Sequence, residues 1–234
     1  MQADHAAMSK LSIIMPVLNE GESIAAALDV LADLRARGTE VIVVDGGSRD
    51  ATVQRARPRA DRVVLASRGR ALQMNAGAEQ ASGDVLLFLH ADTRVPADAD
   101  HVMLKGLERS GRVWGRFDVK IDGRSPVLLV VAWFMNLRSR LTGIATGDQA
   151  TFVRRSAFQA VGGFPAIALM EDIALCKQLR RVSRPLCLRE RVTTSGRRWE
   201  KKGVLNTLIL MWRLRLAYFL GADPKELARQ YGYE

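Results

Sequence analysis

Two cysteines, Cys176 and Cys187, in a chain of 234 residues are too few for a disulfide framework, and neither stands in a CxxC or Cys/His ligand pattern. A stapled or zinc-clipped fold is set aside, and a reducing compartment is expected. Long uninterrupted apolar runs are also missing. Pro126 to Leu137 would make only about 18 Å of helix against a hydrocarbon core of about 30 Å. Val204 to Leu220 is longer but carries Arg213 and Arg215, each costing roughly 2.5 to 3.5 kcal/mol near a bilayer centre. A docked or interfacial helix fits that segment better than a span. The opening MQADHAAMSK has no apolar h-region, and the LSIIMPVL after it is broken by Pro16, so a cytoplasmic catalytic domain is expected. No GxGxxG follows an early strand, which disfavours an NAD-dependent enzyme. Acidic residues are the scarcer charge: 25 Asp and Glu against 35 Lys and Arg leave a formal charge of +10, which draws the protein towards anions such as nucleotides, anionic lipid or nucleic acid.

What is present is a regular alternation. Leu11 to Met15 is an apolar run closed by Pro16, after which Asn19 precedes Glu20 and Glu22 as a cap would. Val41 to Val44 is a β-branched run closed by Asp45, Gly46 and Gly47, with Ser48 placed to cap a helix through Ala56. A strand over Arg62 to Ala66, a helix over Arg70 to Ala81 and a strand over Val85 to Leu89 continue the pattern. Strands apolar throughout and separated by helices predict a mostly parallel sheet covered on both faces, an α/β fold. The later chain reads as a helix over Val127 to Arg140, a strand near Ala150 to Val153, a GGF turn at Gly162 to Phe164, a helix from Glu171, and a short helix opened by Asp223, Pro224 and Glu226. There is no internal repeat, low-complexity tract or linker. One domain is expected, with a nucleotide-binding half over about 10–95, an acceptor half over about 96–203 and a C-terminal helical segment over about 204–234.

In open sheets of this kind ligands lie beyond the carboxyl ends of the strands, and Asn19, Asp45 and Asp92 fall just past such ends. A carboxylate there suits a hard cation such as Mn²⁺ or Mg²⁺ whose shell is completed by substrate oxygens, although an isolated Asp after a strand ordinarily caps a turn. Asp45-Gly-Gly is ordinary turn sequence too, or a carboxylate for the base or ribose of a nucleotide. Glu171 and Asp172 open a helix that ends in Arg180 and Arg181, a distribution the helix dipole explains by itself. A carboxylate in that place also suits a general base for a hydroxyl. Arg197, Arg198 and Trp199 are either a basic turn with an aromatic anchor or a diphosphate clamp beside a flat face for a sugar ring.

Taken in order, IIMPVLNE, VIVVDGGSRDAT, GRALQMNAG, GDVLLFLHADT, GDQATFVRR, VGGFP, LMEDIALCKQLRR and SGRRWEKKG resemble the family 2 glycosyltransferases over almost the whole chain. The resemblance implies the GT-A fold, a nucleotide diphosphate sugar donor (UDP- or GDP-linked), Mn²⁺ or Mg²⁺, and inversion at the anomeric carbon. It implies that Pro16, Asn19, Glu20 and Asp45 line the nucleotide pocket, with Arg70 and Asn75 as further contacts. Asp92 matches the last acid of the family's metal-binding DxD element, and Asp172 the base of its ED motif, with Glu171 before it. Gly147, Asp148 and Gln149 would lie beside the reacting centre, and Arg198 and Trp199 match the end of the QxxRW element of processive members.

Two departures narrow the expectation. His90 stands where the first DxD acid is usual, so metal coordination falls to Asp92, with His90 beside it, facing the nucleotide or packing locally. Ser195 replaces the Gln of QxxRW, which together with the missing membrane spans favours transfer of single sugars. The acceptor is a hydroxyl, and the apolar segments beside basic residues suggest a lipid or lipid-linked one, with peripheral attachment at the inner face of the membrane. Nucleic acid is not an expected partner. The rival enzyme is a sugar-nucleotide pyrophosphorylase or nucleotidyltransferase, but PVLNEGES lacks the basic glycine-rich loop expected of one. The non-enzymatic rival is a basic membrane-surface or nucleic-acid binding module, which would bind in a salt-sensitive way without turnover.

Overall fold

The computed structural model describes residues 10–232, apart from the side chains of Arg198 and Lys202. The first half runs β1 (Leu11–Val17), α1 (Ile24–Asp29), α2 (Ala32–Ala36), β2 (Glu40–Asp45), α3 (Thr52–Ala56), β3 (Arg62–Leu65), α4 (Arg70–Gln80) and β4 (Val85–Phe88). It continues through β5 (Thr93–Arg94), α5 (Ala99–Ser110), β6 (Trp114–Asp122), α6 (Val127–Thr142), a 3-10 turn at Gly147–Gln149, β7 (Phe152–Arg154), α7 (Arg155–Ala160) and α8 (Glu171–Val182). β8 (Leu186–Ser195), α9 (Arg197–Lys202), α10 (Val204–Phe219) and α11 (Pro224–Tyr231) complete it. The eight strands form one sheet in the order β3-β2-β1-β4-β7-β6-β8-β5. The β3-β2-β1-β4 half is parallel throughout, as the apolar strand runs predict. Beyond β4 the sheet is mixed: β7 is antiparallel to both neighbours, β6 and β8 are parallel, and β5 is antiparallel to β8.

Alternation along each strand divides the apolar residues between two cores. Leu11, Ile13, Met15, Val41 and Val43 face the layer that contains Ile24 and Leu28 of α1, Met103 and Leu107 of α5, and Leu128 and Val131 of α6. Ile14, Ile42, Val44, Leu86 and Phe88 face Ala71, Met74 and Ala78 of α4, Ile173 and Leu175 of α8, Leu214 of α10 and Leu227 of α11. Each fully buried aliphatic side chain contributes about 1.5–3 kcal/mol of transfer free energy. α4 approaches the sheet closely because Gly77 packs on Ile14 and Val44, where even a methyl group would overlap both side chains.

Two expected caps are replaced by a different device. Neither Asn19 nor Ser48 caps a helix: α1 begins at Ile24 and α3 at Thr52. The two residues instead sew the β1 and β2 loops together. Asn19 donates its backbone N–H to Ser48 Oγ at 2.8 Å, and its Oδ1 accepts from Arg49 N at 2.9 Å. Asn19 is held at φ 53° by this pairing, a left-handed conformation that Asn tolerates better than most residues. The cap expected at Asp223 is present, its carboxylate accepting from Lys225 N with Pro224 in the first turn. No helix among the described residues is long and apolar enough to cross a membrane.

Candidate active site

The carboxyl ends of β1 and β2 are fixed from below by one side chain. Gln73 of α4 donates through Nε2 to Val17 O and to Val44 O, both at 2.8 Å, and is itself buried. Nothing in GRALQMNAG marked this residue apart from its place on a helix. Above it, Asp45 accepts from Gly47 N and Ser48 N through Oδ2, at 2.9 Å each. Its other oxygen, Oδ1, is buried with no hydrogen-bond partner. A buried carboxylate oxygen left open is costly unless a ligand donor completes it. Glu20 is tied to the same loops, its N–H donating to Thr52 Oγ1 at 2.8 Å and its carboxylate accepting from Ser23 Oγ. Pro16 lies within β1 opposite Val44.

A cleft opens past the end of β4. Asp92 and His90 line it from the loop between β4 and β5, Gly147 and Asp148 from the 3-10 turn, and Glu171 and Asp172 from the first turn of α8. Arg70, at the start of α4, and Trp199 of α9 also line it. Asp92 is exposed, and its loop is set by pairing of β5 with β8, Asp92 O accepting from Ser195 N at 3.1 Å. His90 Nδ1 lies 3.6 Å from Asp148 Oδ1, and Gly147 packs against the His90 ring so closely that a methyl group there would overlap it. Asp172 Oδ2 accepts from Gly147 N at 3.0 Å, which ties the 3-10 turn to α8, and its Oδ1 accepts from Ile173 N at 2.7 Å. Two residues around this junction are held in left-handed conformations without being glycine, Ala150 at φ 47° and Met170 at φ 71°. Strain of this kind persists where the surrounding structure over-determines it, commonly at functional sites.

Glu171, buried beside Asp172, has its carboxyl pushed above the ordinary range by desolvation, an effect that Arg70 at 3.5 Å partly offsets. Trp199 is both core and wall, packed with Leu128 and Val131 while lining the cleft. Two expected contacts turn inward. Asn75 spends both ends of its amide on the GGF turn, donating to Phe164 O at 2.8 Å and accepting from Phe164 N at 2.9 Å. Gln149 is fully buried and donates to Ser139 Oγ at 3.0 Å and Asn136 Oδ1 at 3.3 Å. The side chain of Arg198 lies outside the described residues. The sequence reading missed the contribution of the C-terminal helices: Thr207, Met211 and Arg215 of α10 and Tyr231 of α11 line the same cleft. The signal in the sequence is Arg215, an arginine inside an otherwise apolar helix.

Among the described residues no group of three or more His, Cys, Asp or Glu side chains is placed to enclose a metal ion. The exposed Asp92 carboxylate still fits a cation of the Mg²⁺ or Mn²⁺ type, which is commonly held by one or two carboxylates and completes its shell with substrate phosphates and water.

The poly-beta-1,6-N-acetyl-D-glucosamine synthase of Staphylococcus epidermidis is 24% identical over 198 residues, covering 76% of this chain and 48% of its own length. The chain thus spans about half the length of the curated relatives it matches. Among solved structures, S. aureus TarS superposes with a TM-score of 0.66 at 21% identity, over 80% of this chain and 60% of the TarS chain, and TarS has also been solved with UDP and with UDP-GlcNAc. The mannosyltransferase PcManGT of Pyrobaculum calidifontis, in complex with GDP-Man and Mn²⁺, superposes with a TM-score of 0.63 at 20% identity, over 97% of this chain and 70% of its own. These likenesses establish the GT-A fold expected from the motifs. The model of Glycosyl transferase family 2 matches residues 12–162, from the first strand to the first glycine of the GGF turn, and the chain belongs to that family.

Proposed function

We propose that the protein transfers a single sugar from a nucleotide diphosphate donor to an acceptor hydroxyl, with inversion at the anomeric carbon. The observation that carries this reading is that Asp92, from the β4 end, and Asp172, from the start of α8, line one cleft although 80 positions separate them in the chain. The loops after β1 and β2 hold the nucleotide, with the open Asp45 Oδ1 accepting from its base or ribose and Asn19 and Glu20 shaping the loop. The β1 to β4 half serves the donor, and the later strands with α8 to α11 serve the acceptor. Asn75 and Gln149 act by positioning: one fixes the GGF turn and the other the 3-10 turn that carries Gly147.

Asp172 takes the acceptor proton as the hydroxyl oxygen forms its bond to the anomeric carbon. The bond to the diphosphate breaks on the opposite face, and its electron pair leaves with the nucleotide. One carboxylate suffices, whereas an inverting hydrolase needs a second acid to protonate an alkoxide leaving group. A Mn²⁺ or Mg²⁺ ion held by Asp92, with His90 and Asp148 beside it, would supply charge neutralisation at the leaving diphosphate. Glu171, tethered to Arg70, fixes the start of α8 and so the aim of Asp172.

The apolar faces of α6 and α10 support a lipid or lipid-linked acceptor met at a membrane surface. Trp133 and Trp212 are 58% and 72% exposed, and Leu129, Phe134, Leu205 and Leu216 are exposed with them. The sugar transfer is tested with UDP- and GDP-sugars plus Mn²⁺. Nucleotide at about 100 times its dissociation constant should stabilise the fold by about 2.7 kcal/mol, read as a thermal shift. Asp172→Asn should abolish transfer while leaving that shift in place. Wild-type transfer rates in the variant would refute the base assignment, and no nucleotide shift or turnover across the donor panel would refute the enzyme reading.

A further inference from the structure

Arg70 and Glu171 stand 101 positions apart in the chain and meet at the cleft. Arg70 Nη1 donates to Glu171 Oε1 at 3.5 Å, a contact that joins the first residue of α4 to the first residue of α8. Both side chains line the cleft, and together with His90, Gly147 and Asp172 they also line a smaller cavity that shares this wall. The two partners differ in setting. Glu171 keeps 4% of its side-chain surface in water and Arg70 keeps 36%, so the carboxylate is the fixed member and the guanidinium is the one a ligand can reach. Among the described residues no other residue donates a hydrogen bond to the Glu171 carboxylate.

Arg70 is placed on the donor side by its own helix. Gln73, one turn further along α4, donates to Val17 O and Val44 O, which fixes that helix to the ends of β1 and β2. His90, which borders both cavities with Arg70, precedes Asp92 by two residues on the loop past β4. The charge of the cleft gives this position its weight. Its described lining carries four carboxylates, Asp92, Asp148, Glu171 and Asp172, against two guanidinium groups, Arg70 and Arg215, and Arg215 belongs to α10 rather than to the helix that buttresses the nucleotide loops. The diphosphate of a sugar-linked donor carries two negative charges and gains a third as its bond to the sugar breaks. A divalent cation offsets two of them, which leaves one for a cationic side chain. A guanidinium, with five N–H donors in a plane, can meet a carboxylate on one edge and phosphate oxygens on another.

We propose that Arg70 binds the donor diphosphate and that Glu171 is the positioning residue that orients it, so that one ion pair ties the leaving group to the helix that aims Asp172. The inference rests on the glycosyl transfer reading and deepens it: the buried carboxylate serves the donor as well as the start of α8. A guanidinium already held by Glu171 loses less freedom when the nucleotide arrives, which favours binding.

The test is a double-mutant cycle on binding by the full chain, which needs no acceptor. UDP and GDP, each with Mn²⁺, and the parent nucleosides are titrated calorimetrically into the wild type, Arg70→Met, Glu171→Met and the double variant. Arg70→Met should weaken the nucleoside diphosphate about tenfold or more and leave the nucleoside unchanged, because the lost contact is a charge-assisted one to phosphate. Glu171→Met should weaken the nucleoside diphosphate about threefold to tenfold, although it removes an acidic group from an acidic cleft, and should add nothing once Arg70 is replaced. A Glu171 that only anchors α8 would leave nucleotide binding unchanged, and one that acts only through its negative field would tighten it; either result overturns the proposal. So does an equal effect of Glu171→Met with and without Arg70, or a loss of nucleoside binding in step with the diphosphate. Should either methionine variant fail to fold, Arg70→Lys, which loses the planar fork, and Glu171→Gln, which loses the charge, must shift diphosphate affinity in the same directions. If neither UDP nor GDP binds the wild type, the donor reading falls and this inference with it. If one of them binds and the cycle is flat, the donor reading stands and this inference alone falls.

Discussion

Glu40 and Asp45 are buried carboxylates at opposite ends of β2, and their partners give them opposite meanings. Glu40 Oε2 accepts from Ser12 Oγ at 2.5 Å, Ser82 N at 2.8 Å and Ser82 Oγ at 3.0 Å, and Arg62 stands 3.5 Å from Oε1. Burial alone would raise this carboxyl, but the serine donors and Arg62 outweigh it, and the group is held below its ordinary value of 4.5. The folded state therefore favours the ionised form. Its stabilising contribution is complete above the unfolded value and is lost as pH falls through the folded one. Glu40→Gln should cost about 1–3 kcal/mol near neutral pH and should flatten the fall in melting temperature below about pH 4.5, read by thermal melts across a pH series. Asp45 is completed on one side only. Asp45→Asn can keep an acceptor for Gly47 N and Ser48 N, so it should change stability by less than about 1 kcal/mol yet weaken nucleotide binding about tenfold. Equal losses in both measurements would make Asp45 a structural residue. Its place after a strand was legible in the sequence, but its open oxygen was not, because Gly47 and Ser48 satisfy Oδ2 alone and only coordinates separate the two oxygens.

The elements that could be read were those whose local pattern is also their environment. β1, β2 and β4 are apolar throughout because both faces are covered, and α4 and α8 show helical spacing because one face meets the sheet. β6 and β8 were missed for the opposite reason. WGRFDVKID buries Arg116 and Asp118, which the sequence presents as surface charge until Arg140 on α6 is seen to close the cluster. β8 is half polar because it lies near the sheet edge, flanked on one side only by the two-residue β5, and leaves Arg189, Glu190 and Arg191 in water. The sequence of α10 presents Arg213 and Arg215 as interruptions of an apolar helix, and the structure turns Arg215 into the cleft. The 3-10 turn carries the clearest prediction at this scale. Gly147 sits against the His90 ring and donates its N–H to Asp172, so a methyl group must displace one of them. Gly147→Ala should cost about 1–3 kcal/mol as overpacking. Its effect on kcat should be larger, on the order of a hundredfold, because a shift of about 1 Å in the base misaligns the acceptor. A variant that loses stability with unchanged kcat would show that the turn does not position Asp172.

Across the whole molecule, charge and apolar exposure coincide. The net charge is +10, and the large apolar side chains left in water are concentrated on α6 and α10, the two helices that also carry the exposed Arg140 and Arg213. On α10 the exposed Leu205, Ile209, Trp212, Leu216 and Phe219 recur at helical spacing, so they form one stripe while Thr207 and Leu214 face inward. A stripe of this size on a folded domain ordinarily meets another surface. Indole rings settle at the boundary between headgroups and acyl chains, and basic residues near an anionic leaflet each add about 1 kcal/mol of attraction. The protein should therefore pellet with vesicles containing anionic lipid, bind neutral vesicles more weakly, and release from the anionic ones as salt is raised, since the attraction decays within a Debye length of about 8 Å at physiological ionic strength. Trp133→Glu combined with Trp212→Glu should lower vesicle affinity at least about tenfold while leaving the melting temperature within about 2 °C, because both rings are solvated in the free protein. Binding that survives the double substitution and responds only to salt would assign the attachment to charge alone, and the apolar faces of α6 and α10 would then need a protein partner rather than a bilayer.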